Sequence, residues 1–236
     1  YTSYSANFGD LKAFDEGRSQ FPLYDSVYAS FDALRDASIL DVGCGKGEWL
    51  GWLKLKGYTN LFGIDGSESD LHLARSWLDG VTFECGNLLD HLERTQKVYD
   101  VIHAKDVIEH LTKDEIVRLL TGARRALKPG GQLWIQTFNA QAPLAAATRY
   151  GDFTHETGLT PQSLAQCLRA CGFQSVRVSG IHYCSSSAGG VARRVMSLPV
   201  LWLSRLILRL RHGGAGSARD EVDRFCVMPD MLAVAS

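Results

Sequence analysis

A glycine-rich turn between a strand and a helix constrains the fold of this chain more than any other segment. Residues 39–50 read Ile-Leu-Asp-Val-Gly-Cys-Gly-Lys-Gly-Glu-Trp-Leu. The three glycines permit positive φ and carry no Cβ atom that would keep a ligand from the backbone. The unpaired N–H groups of the following helix, with their positive dipole end, point into the same space. The segment therefore predicts that a nucleotide-like molecule binds here.

Two well-known phosphate-binding turns do not match this segment. The dinucleotide pattern Gly-x-Gly-x-x-Gly requires a glycine at position 48 or 50, where the chain has Glu48 and Leu50. A carboxylate at that point would repel a pyrophosphate. No Gly-Lys-Ser/Thr follows the glycines, which excludes a P-loop. Asp41, two residues before the first glycine, instead suits a cationic ligand group such as an amine or a sulfonium.

Three further segments follow the turn and carry a family resemblance. They read Leu-Phe-Gly-Ile-Asp-Gly-Ser at 61–67, Tyr-Asp-Val-Ile-His-Ala at 99–104 with Val-Ile-Glu-His-Leu at 107–111, and Leu-Lys-Pro-Gly-Gly-Gln-Leu at 127–133. Together with residues 41–47 they resemble, in order and spacing, the motifs of class I S-adenosylmethionine (SAM) dependent methyltransferases. The resemblance is greatest to the branch that includes ubiquinone-pathway enzymes and bacterial methyltransferases of surface polysaccharides.

Strands and helices alternate along the chain, which predicts an α/β fold with a parallel sheet and right-handed crossovers. The resemblance implies a Rossmann-like, seven-stranded mixed sheet of order 3-2-1-4-5-7-6, with an antiparallel seventh strand and helices on both faces. Strands are expected near 38–43, 60–65, 81–84, 98–104, 132–138, 173–179 and 231–235, and helices over 22–36, 47–56, 67–78, 113–127 and 161–171. We divide the chain into an N-terminal helical lead-in and lid (1–36), a SAM-binding core (37–183 and 225–236) and a basic, apolar insert (184–224).

The resemblance implies SAM as the cofactor and S-adenosylhomocysteine (SAH) as its product. The backbone of the glycine turn would face the methionine part, and Asp65 would hold both ribose hydroxyls. Asn87 stands where the family often has an acid near the adenine amine, and Arg18 is a candidate for the methionine carboxylate under a lid formed by 1–21. The candidate cofactor-binding residues are Arg18, Asp41, Gly43, Cys44, Gly45, Gly47, Asp65, Gly66, Asn87, Leu88, Ala104 and Lys105.

Two histidines are candidates for a catalytic base, since methyl transfer to a hydroxyl requires positioning and the removal of one proton. His155 lies in a loop after the fifth strand, at the carboxyl end of the sheet where such folds bind ligands. His110 belongs to a family-like Glu-His pair after the fourth strand. Each has a structural alternative: a loop histidine that caps backbone groups, or a histidine wedged between helix and sheet. Carboxylates are not grouped at the ends of the fourth and fifth strands, so no metal is expected.

The charges of the chain are distributed unevenly. Eight arginines and no acidic residue lie between Glu156 and Asp220, although the net charge is −1. Such asymmetry is typical of a protein that meets an anionic partner or surface. Residues 195–211 are largely apolar, with Arg205 and Arg209 on one face, and are flanked by Ser/Gly-rich linkers at 185–190 and 213–217. They predict either a core or homodimer-interface helix, or a helix lying on an anionic membrane.

The acceptor is the part of the reaction that the sequence defines least. The near-neutral charge argues against a nucleic-acid acceptor, and so does the lack of an Asn-Pro-Pro-Tyr or Asp-Pro-Pro-Tyr tetrapeptide after the fourth strand. Scattered cysteines and no visible signal peptide predict a cytoplasmic protein, peripheral at the inner membrane if the insert binds lipid. The resemblance favours the hydroxyl of a sugar in a surface glycan or lipopolysaccharide, lipid-linked forms included. The alternatives are a quinone-like or other hydrophobic small molecule, and a methyltransferase-like interaction module without activity.

Overall fold

An eight-stranded sheet forms the centre of the computed structural model, which describes residues 18–96, 98–182, 188–212 and 221–236. Its strands are β1 (Ser38–Val42), β2 (Asn60–Asp65), β3 (Thr82–Cys85), β4 (Tyr99–Lys105), β5 (Leu127–Phe138), β6 (Val176–Gly180), β7 (Glu221–Val222) and β8 (Asp230–Ala235). The helices are α1 (Phe21–Val27), α2 (Glu48–Leu55), α3 (Glu68–Trp77), α4 (Leu88–Arg94), α5 (Lys113–Ala126), α6 (Ala145–Gly151), α7 (Pro161–Ala170) and α8 (Ala188–His212), with a 3-10 helix at Ile108–His110. Most of the predicted lid, and the linker residues 185–187 and 213–217, lie outside the described residues.

The strand order is β3-β2-β1-β4-β5-β8-β6-β7. The first five strands of the chain pair in parallel, whereas β8 is antiparallel to both β5 and β6. With β8 as the last of the predicted strands, the order 3-2-1-4-5-7-6 and the antiparallel seventh strand are both confirmed.

The sheet has one strand more than the seven that were predicted. β7 is two residues long and pairs in parallel with β6 at the edge, where Glu221 forms an ion pair with Arg177. It falls inside the segment assigned to the insert, so that segment contributes to the sheet. A two-residue strand is too short to show the alternation of apolar and polar residues by which strands are recognised.

Helices cover both faces of the sheet, as predicted. Alternate side chains of a strand point to opposite faces. Leu40 and Val42 pack in a core with α4, α5 and α7, whereas Ile39 packs in a second core with α1, α2 and α3. The second core is rich in aromatic residues and lies under the glycine turn. It includes Tyr24 and Tyr28 of the lead-in and Trp49 and Trp52 of α2.

The helix boundaries follow local capping chemistry. Thr112 accepts from the backbone of Glu115, and the Glu115 side chain accepts in return from the backbone of Thr112, a complete capping box for α5. Thr160 caps α7 in the same way with Ser163, and proline occupies the first helical position, as predicted. These starts depend on a few adjacent residues, which is why the sequence indicates them well.

The helix predicted over 22–36 is wrong in its length, since α1 ends at Val27. After Tyr28 the chain turns, and the N–H of Phe31 donates to the Tyr28 carbonyl at 2.9 Å. The turn carries the Phe31 ring to 5.2 Å from the ring centre of Trp134. Leu34, expected on the apolar face of the helix, is 78% exposed. The helical spacing of these aromatic residues thus reflects packing on the sheet and not one continuous helix.

Helix α8 carries the predicted apolar, arginine-rich segment and begins earlier than expected, because it includes 188–190 of the predicted linker. Arg205 donates to Asp223 over 3.3 Å, and the guanidinium carbon of Arg209 lies 5.7 Å from the ring centre of Phe225. The two arginines therefore contact the chain itself. The exposed apolar residues of the helix are Val195, Met196, Leu198, Val200, Trp202, Leu203, Ile207 and Leu210. Within the described ranges, no helix combines the length and the hydropathy of a membrane span.

The core beside the glycine turn leaves no room for an added methyl group at Gly63. A Cβ atom there would lie 2.7 Å from Sγ of Cys44 and 2.9 Å from side-chain atoms of Leu50 and Phe83. We expect Gly63→Ala to lower the free energy of unfolding by about 1–3 kcal/mol, measured by urea denaturation. Gly86→Ala is the matched control, since a Cβ atom there meets no described atom within 4 Å. Equal stability of the two variants would contradict this account.

Candidate active site

The glycine turn lies where β1 ends and α2 begins, and its three glycines have left-handed φ angles. The values are 73° for Gly43, 50° for Gly45 and 80° for Gly47. A side chain at Gly43 is excluded, because its Cβ atom would lie 2.4 Å from Cγ2 of Val107. At Gly45 the space is open, with no atom of the described chain within 4 Å of a Cβ position. The turn therefore offers bare backbone to a ligand at the carboxyl end of the sheet.

Asp65, at the end of β2, is tied to this turn by its carboxylate. Oδ2 accepts from the N–H of Gly45 at 2.8 Å, and Oδ1 accepts from the N–H of Ser67 at 2.8 Å. Ser67, and not Asp65, caps α3 by accepting from the backbone N–H of Asp70. Burial raises the pKa of Asp65, and the nearby Asp70 and Asp41 add to the rise. The carboxylate is thus held in a fixed orientation at the position predicted for the ribose hydroxyls.

Negative charge accumulates around the turn. Burial raises the pKa of Glu48, and the carboxylate of Asp41 contributes in the same direction to Glu48 and to Asp65. Lys46 and Lys105 partly offset this effect at Glu48. Like charges this close favour a ligand that brings positive charge. These carboxylates suit the sulfonium and ammonium groups of SAM, and they disfavour a polyphosphate.

Other predicted cofactor residues lie at the same edge of the sheet. Ala104 and Lys105 end β4; Ala104 is buried, and the Lys105 ammonium pairs with Asp106. Cys44 is buried within the turn, and burial raises the pKa of its thiol, which keeps it neutral. Gly66 directly follows Asp65. The chain therefore brings the ends of β1, β2 and β4 together around one space.

Binding to the cofactor remains a prediction for all twelve candidate residues, including the three described next. Asn87 caps α4, and its Oδ1 accepts from the backbone N–H groups of Leu89 and Asp90 at 2.9 and 3.1 Å. This cap engages the side-chain oxygen, the atom of Asn87 that could accept from the adenine amine. Leu88 is the first residue of α4. Arg18 is exposed at the start of the described chain.

The two candidate bases are neighbours, with ring centres 4.8 Å apart. Nδ1 of His155 lies 2.9 Å from the carbonyl oxygen of Thr148 and must donate to it. Nδ1 of His110 lies 3.0 Å from Oγ1 of Thr154, which donates its own hydrogen to Asp152. Nδ1 of His110 is therefore a donor as well. In this tautomer both imidazoles present Nε2 as the proton acceptor.

The loop that carries His155 is attached to the 3-10 helix through its main chain. The N–H groups of Glu156 and Thr157 donate to the carbonyl of Glu109 at 2.8 and 3.0 Å. On the other side the imidazole of His155 stacks on Phe138, with ring centres 5.3 Å apart. The position of His155 is thus determined by contacts with residues from β5 and from the segment after β4.

Glu109 lies beside the two histidines, and the three residues are here called the histidine cluster. No role of its own was predicted for Glu109 from the sequence. Its side chain is buried, and Oε2 accepts from Oγ1 of Thr137 at 3.0 Å. Burial, with a contribution from Asp106, raises the pKa of Glu109 to about 8. The carboxyl group therefore holds a proton at neutral pH and becomes ionised more readily when a neighbouring imidazole gains charge. Its place beside His110 in the sequence was the signal that could have identified it.

Glu109, His110 and His155 also form the group that could hold a metal ion within the described part of the chain. Their ligand atoms all lie within 4.8 Å of one another. Two imidazoles and a carboxylate suit several divalent metals. That the reaction needs no metal remains a prediction from the sequence.

A second polar cluster is buried beneath the glycine turn and was not singled out from the sequence. His103 has no exposed surface, and its Nδ1 donates to Oδ1 of Asp41 at 2.7 Å. Its Nε2 lies 2.7 Å from the hydroxyl of Tyr28, which also lies 2.9 Å from Oε1 of Gln136. Asp41 and His103 are direct partners in the register of β1 and β4. That register is what brings an acid and an imidazole together.

Comparison with known proteins defines the class. Residues 19–178 match the family model of the methyltransferase domain. The match covers more than half of the chain, and the protein belongs to the class I SAM-dependent methyltransferases, with SAM as its cofactor.

Individual relatives are more distant. The chain is 27% identical over 194 residues to the ubiquinone biosynthesis O-methyltransferase of Hydrogenovibrio crunogenus. The alignment covers 76% of this chain and 77% of that protein. The chain is 25% identical over 176 residues to the corresponding enzyme of Vibrio atlanticus, covering 66% and 71%. A SAM-dependent methyltransferase structure from Archaeoglobus fulgidus gives a TM-score of 0.67 at 19% identity and covers 93% of both chains. This last likeness shows the shared fold.

The raised pKa of Glu109 predicts a pH-dependent stability. The folded chain binds this proton more tightly than the unfolded chain, whose pKa is near 4.5, so stability falls as pH rises from about 4.5 to about 8. We expect Glu109→Gln to remove this contribution, so that Tm falls between pH 5 and pH 9 by about 2–6 °C less than in the wild type. The exposed Glu156→Gln is the matched control. Parallel pH profiles of wild type and Glu109→Gln would show that burial does not shift this group.

Proposed function

We propose that the protein is an O-methyltransferase whose acceptor is a hydroxyl group on a quinone-like or other hydrophobic ring compound. The observation that supports this most is the pair of histidines, His110 and His155, which present Nε2 at the carboxyl end of the sheet. The pair lies near the cofactor turn, because Val107, which packs on Gly43, directly precedes the 3-10 helix. A hydroxyl acceptor needs such a base, since its proton must leave as the oxygen is methylated.

SAM, when bound, supplies an electrophilic methyl group on a sulfonium sulfur. The protein's own residues orient the acceptor hydroxyl and accept its proton at Nε2 of a histidine. Burial lowers the pKa of His110, so this imidazole is neutral and able to accept a proton at pH 7. The imidazole that accepts the proton becomes charged beside Glu109, since the ligand atoms of Glu109, His110 and His155 all lie within 4.8 Å of one another.

The surface around the histidines favours an apolar acceptor. Leu144, Tyr150 and Phe153 lie in the segment between β5 and His155 and are 86%, 78% and 100% exposed. Three large apolar side chains this exposed are typical of a surface that binds a partner or ligand. The pKa of a phenolic hydroxyl is about 10, within reach of an imidazole base. The names of the curated relatives, ubiquinone biosynthesis O-methyltransferases, support the same class of acceptor.

A sugar hydroxyl in a surface glycan is the second candidate. The aromatic rings of Tyr150 and Phe153 could also stack on the apolar face of a sugar. The arginines between Glu156 and Asp220 would suit an anionic or lipid-linked glycan. An assay with labelled SAM separates the two candidates when it compares purified phenolic lipids with surface-glycan extracts. Labelling of the glycan alone would overturn the quinone-like proposal, and a parallel reaction in excess chelator tests the expectation that no metal is required.

Replacement of the histidines tests the proposed base. We expect His155→Ala or His110→Ala to reduce kcat by a factor of about 100 or more, because general-base catalysis contributes on that order. The affinity for SAM, measured by calorimetry, should not change. His72→Ala is the matched control, an exposed histidine on α3. Full turnover in both single variants would show that no histidine acts as the base.

We also propose that α8 places the enzyme at the inner, cytoplasmic membrane surface. Its exposed side is apolar and includes Trp202, Leu203 and Leu198. Arginines contribute positive charge along the same helix, and an apolar face combined with basic residues is typical of helices that lie on anionic membranes. Because Arg205 and Arg209 contact the chain itself, the apolar side chains would supply most of the binding.

We expect the double variant Trp202→Glu, Leu203→Glu to lose at least about nine-tenths of its co-sedimentation with vesicles containing phosphatidylglycerol. Val117→Glu is the matched control, since this side chain is 51% exposed on α5, away from the helix in question. Unchanged sedimentation of the double variant would contradict membrane binding. A wild-type dimer that the double variant converts to a monomer, seen by sedimentation velocity, would instead assign α8 to a homodimer interface.

A further inference from the structure

Four buried polar side chains, here called the Tyr28 relay, connect α1 to the strands that carry the cofactor turn. They are Tyr28, His103, Asp41 and Gln136, and each is at most 4% exposed. Asp41 lies in β1, two residues before the first glycine of the turn, and His103 and Gln136 lie in β4 and β5. The relay therefore spans three central strands and ends at the only charged group of β1.

The hydrogen bonds of the relay orient the imidazole. The hydroxyl of Tyr28 is 2.7 Å from Nε2 of His103 and 2.9 Å from Oε1 of Gln136. It either donates to Nε2 or accepts from it, depending on which way the Gln136 amide faces. In both arrangements Nδ1 of His103 lies 2.7 Å from Oδ1 of Asp41, so the imidazole links the tyrosine to the carboxylate. The indole of Trp49, with its ring centre 3.7 Å away and nearly parallel, fixes the plane of the imidazole.

Burying these polar groups costs free energy, and a role in the site would explain why they are kept. The surrounding face of the sheet is apolar and includes Ile39, Val101 and Trp134. Apolar residues at positions 41 and 103 would pack there at least as stably as a buried acid and imidazole. A carboxylate is nevertheless held directly beneath the turn, and one of its oxygens, Oδ1, is occupied by His103. A cationic ligand group at the turn would therefore meet Oδ2.

We propose that Tyr28 and His103 are positioning residues for the cofactor. The tyrosine hydroxyl fixes the imidazole, and the imidazole holds the carboxylate of Asp41 toward the cationic end of SAM. The lead-in helix α1 thereby becomes part of the cofactor site without touching the cofactor through Tyr28. This inference rests on the proposed contact between Asp41 and SAM, and it is independent of the identity of the acceptor.

The relay can be interrupted without detaching α1. The ring of Tyr28 packs 5.8 Å from the ring centres of Trp49 and Trp52 and 6.1 Å from that of Trp134. Phenylalanine at this position keeps those contacts and loses only the hydroxyl. Tyr24, one turn earlier in α1, offers a matched control, since it is also buried and its ring packs on Tyr28 and Trp52.

We expect Tyr28→Phe to weaken SAM binding about fivefold to tenfold, as the loss of one hydrogen bond in a buried, charged network predicts. Calorimetry without acceptor measures this, so the result does not depend on the O-methyltransferase proposal. Turnover at saturating SAM should remain within about twofold of the wild type, because the defect lies in KM for SAM and not in kcat. Tyr24→Phe should bind SAM like the wild type. Unchanged affinity in Tyr28→Phe, or an equal loss in both variants, would overturn the proposal.

A double-mutant cycle tests whether Tyr28 acts through His103. His103→Asn keeps an N–H donor near Asp41 and removes the link to the tyrosine. In that background Tyr28→Phe should change SAM affinity by less than about twofold, since interacting residues are not additive. The same fivefold to tenfold loss in both backgrounds would show that the tyrosine acts by another route. Thermal unfolding of all variants verifies that the chains compared are folded.

Discussion

The hydrogen bond from the N–H of Gly45 to the carboxylate of Asp65 joins the ends of two neighbouring parallel strands, and the cofactor side of the site is arranged around it. Glycine makes left-handed φ angles accessible at three alternate positions of the turn after β1, but glycine alone does not select that path. The carboxylate selects one path, because its second oxygen is held at the same time by Ser67 at the start of α3. The ends of β1 and β2 and the starts of α2 and α3 are thereby fixed around a space that side chains do not fill.

The parts of the fold that were predictable from the sequence are those determined by nearby residues. The central parallel strands β1 and β4 are largely buried, and their sequences are accordingly rich in apolar residues. The capping residues of α5 and α7 indicate where these helices begin. Features that depend on distant partners were missed. Helix α1 ends where it does because Phe31 packs on Trp134, and β7 forms because Glu221 meets Arg177. Neither partner can be inferred before the order of the strands is known.

The same distinction applies to the site. The glycine turn was recognisable in the sequence because its backbone conformation depends on the spacing of nearby glycines. Asp41 and His103 are 62 residues apart, and their pairing follows only from the register of β1 and β4. The role of Glu109 depends on burial, which no spacing rule gives, and the tautomer of His110 depends on a chain of hydrogen bonds through Thr154. Polar partners are thus the least predictable part of a site whose scaffold is predictable.

Electrostatics connects the two halves of the site. Lys105, at the end of β4, lies close enough to Glu48 at the turn and to Glu109 in the histidine cluster to be influenced by both. In the proposed reaction, methyl transfer from the sulfonium to a hydroxyl would move one unit of positive charge from the cofactor side to the histidine that accepts the proton. A site with excess carboxylate around the turn stabilises that charge before the reaction, and Glu109 lies beside the two histidines on which the charge would end. The protein can therefore accommodate the reaction with little change in the total charge of the site, which lowers the cost of carrying it out away from water.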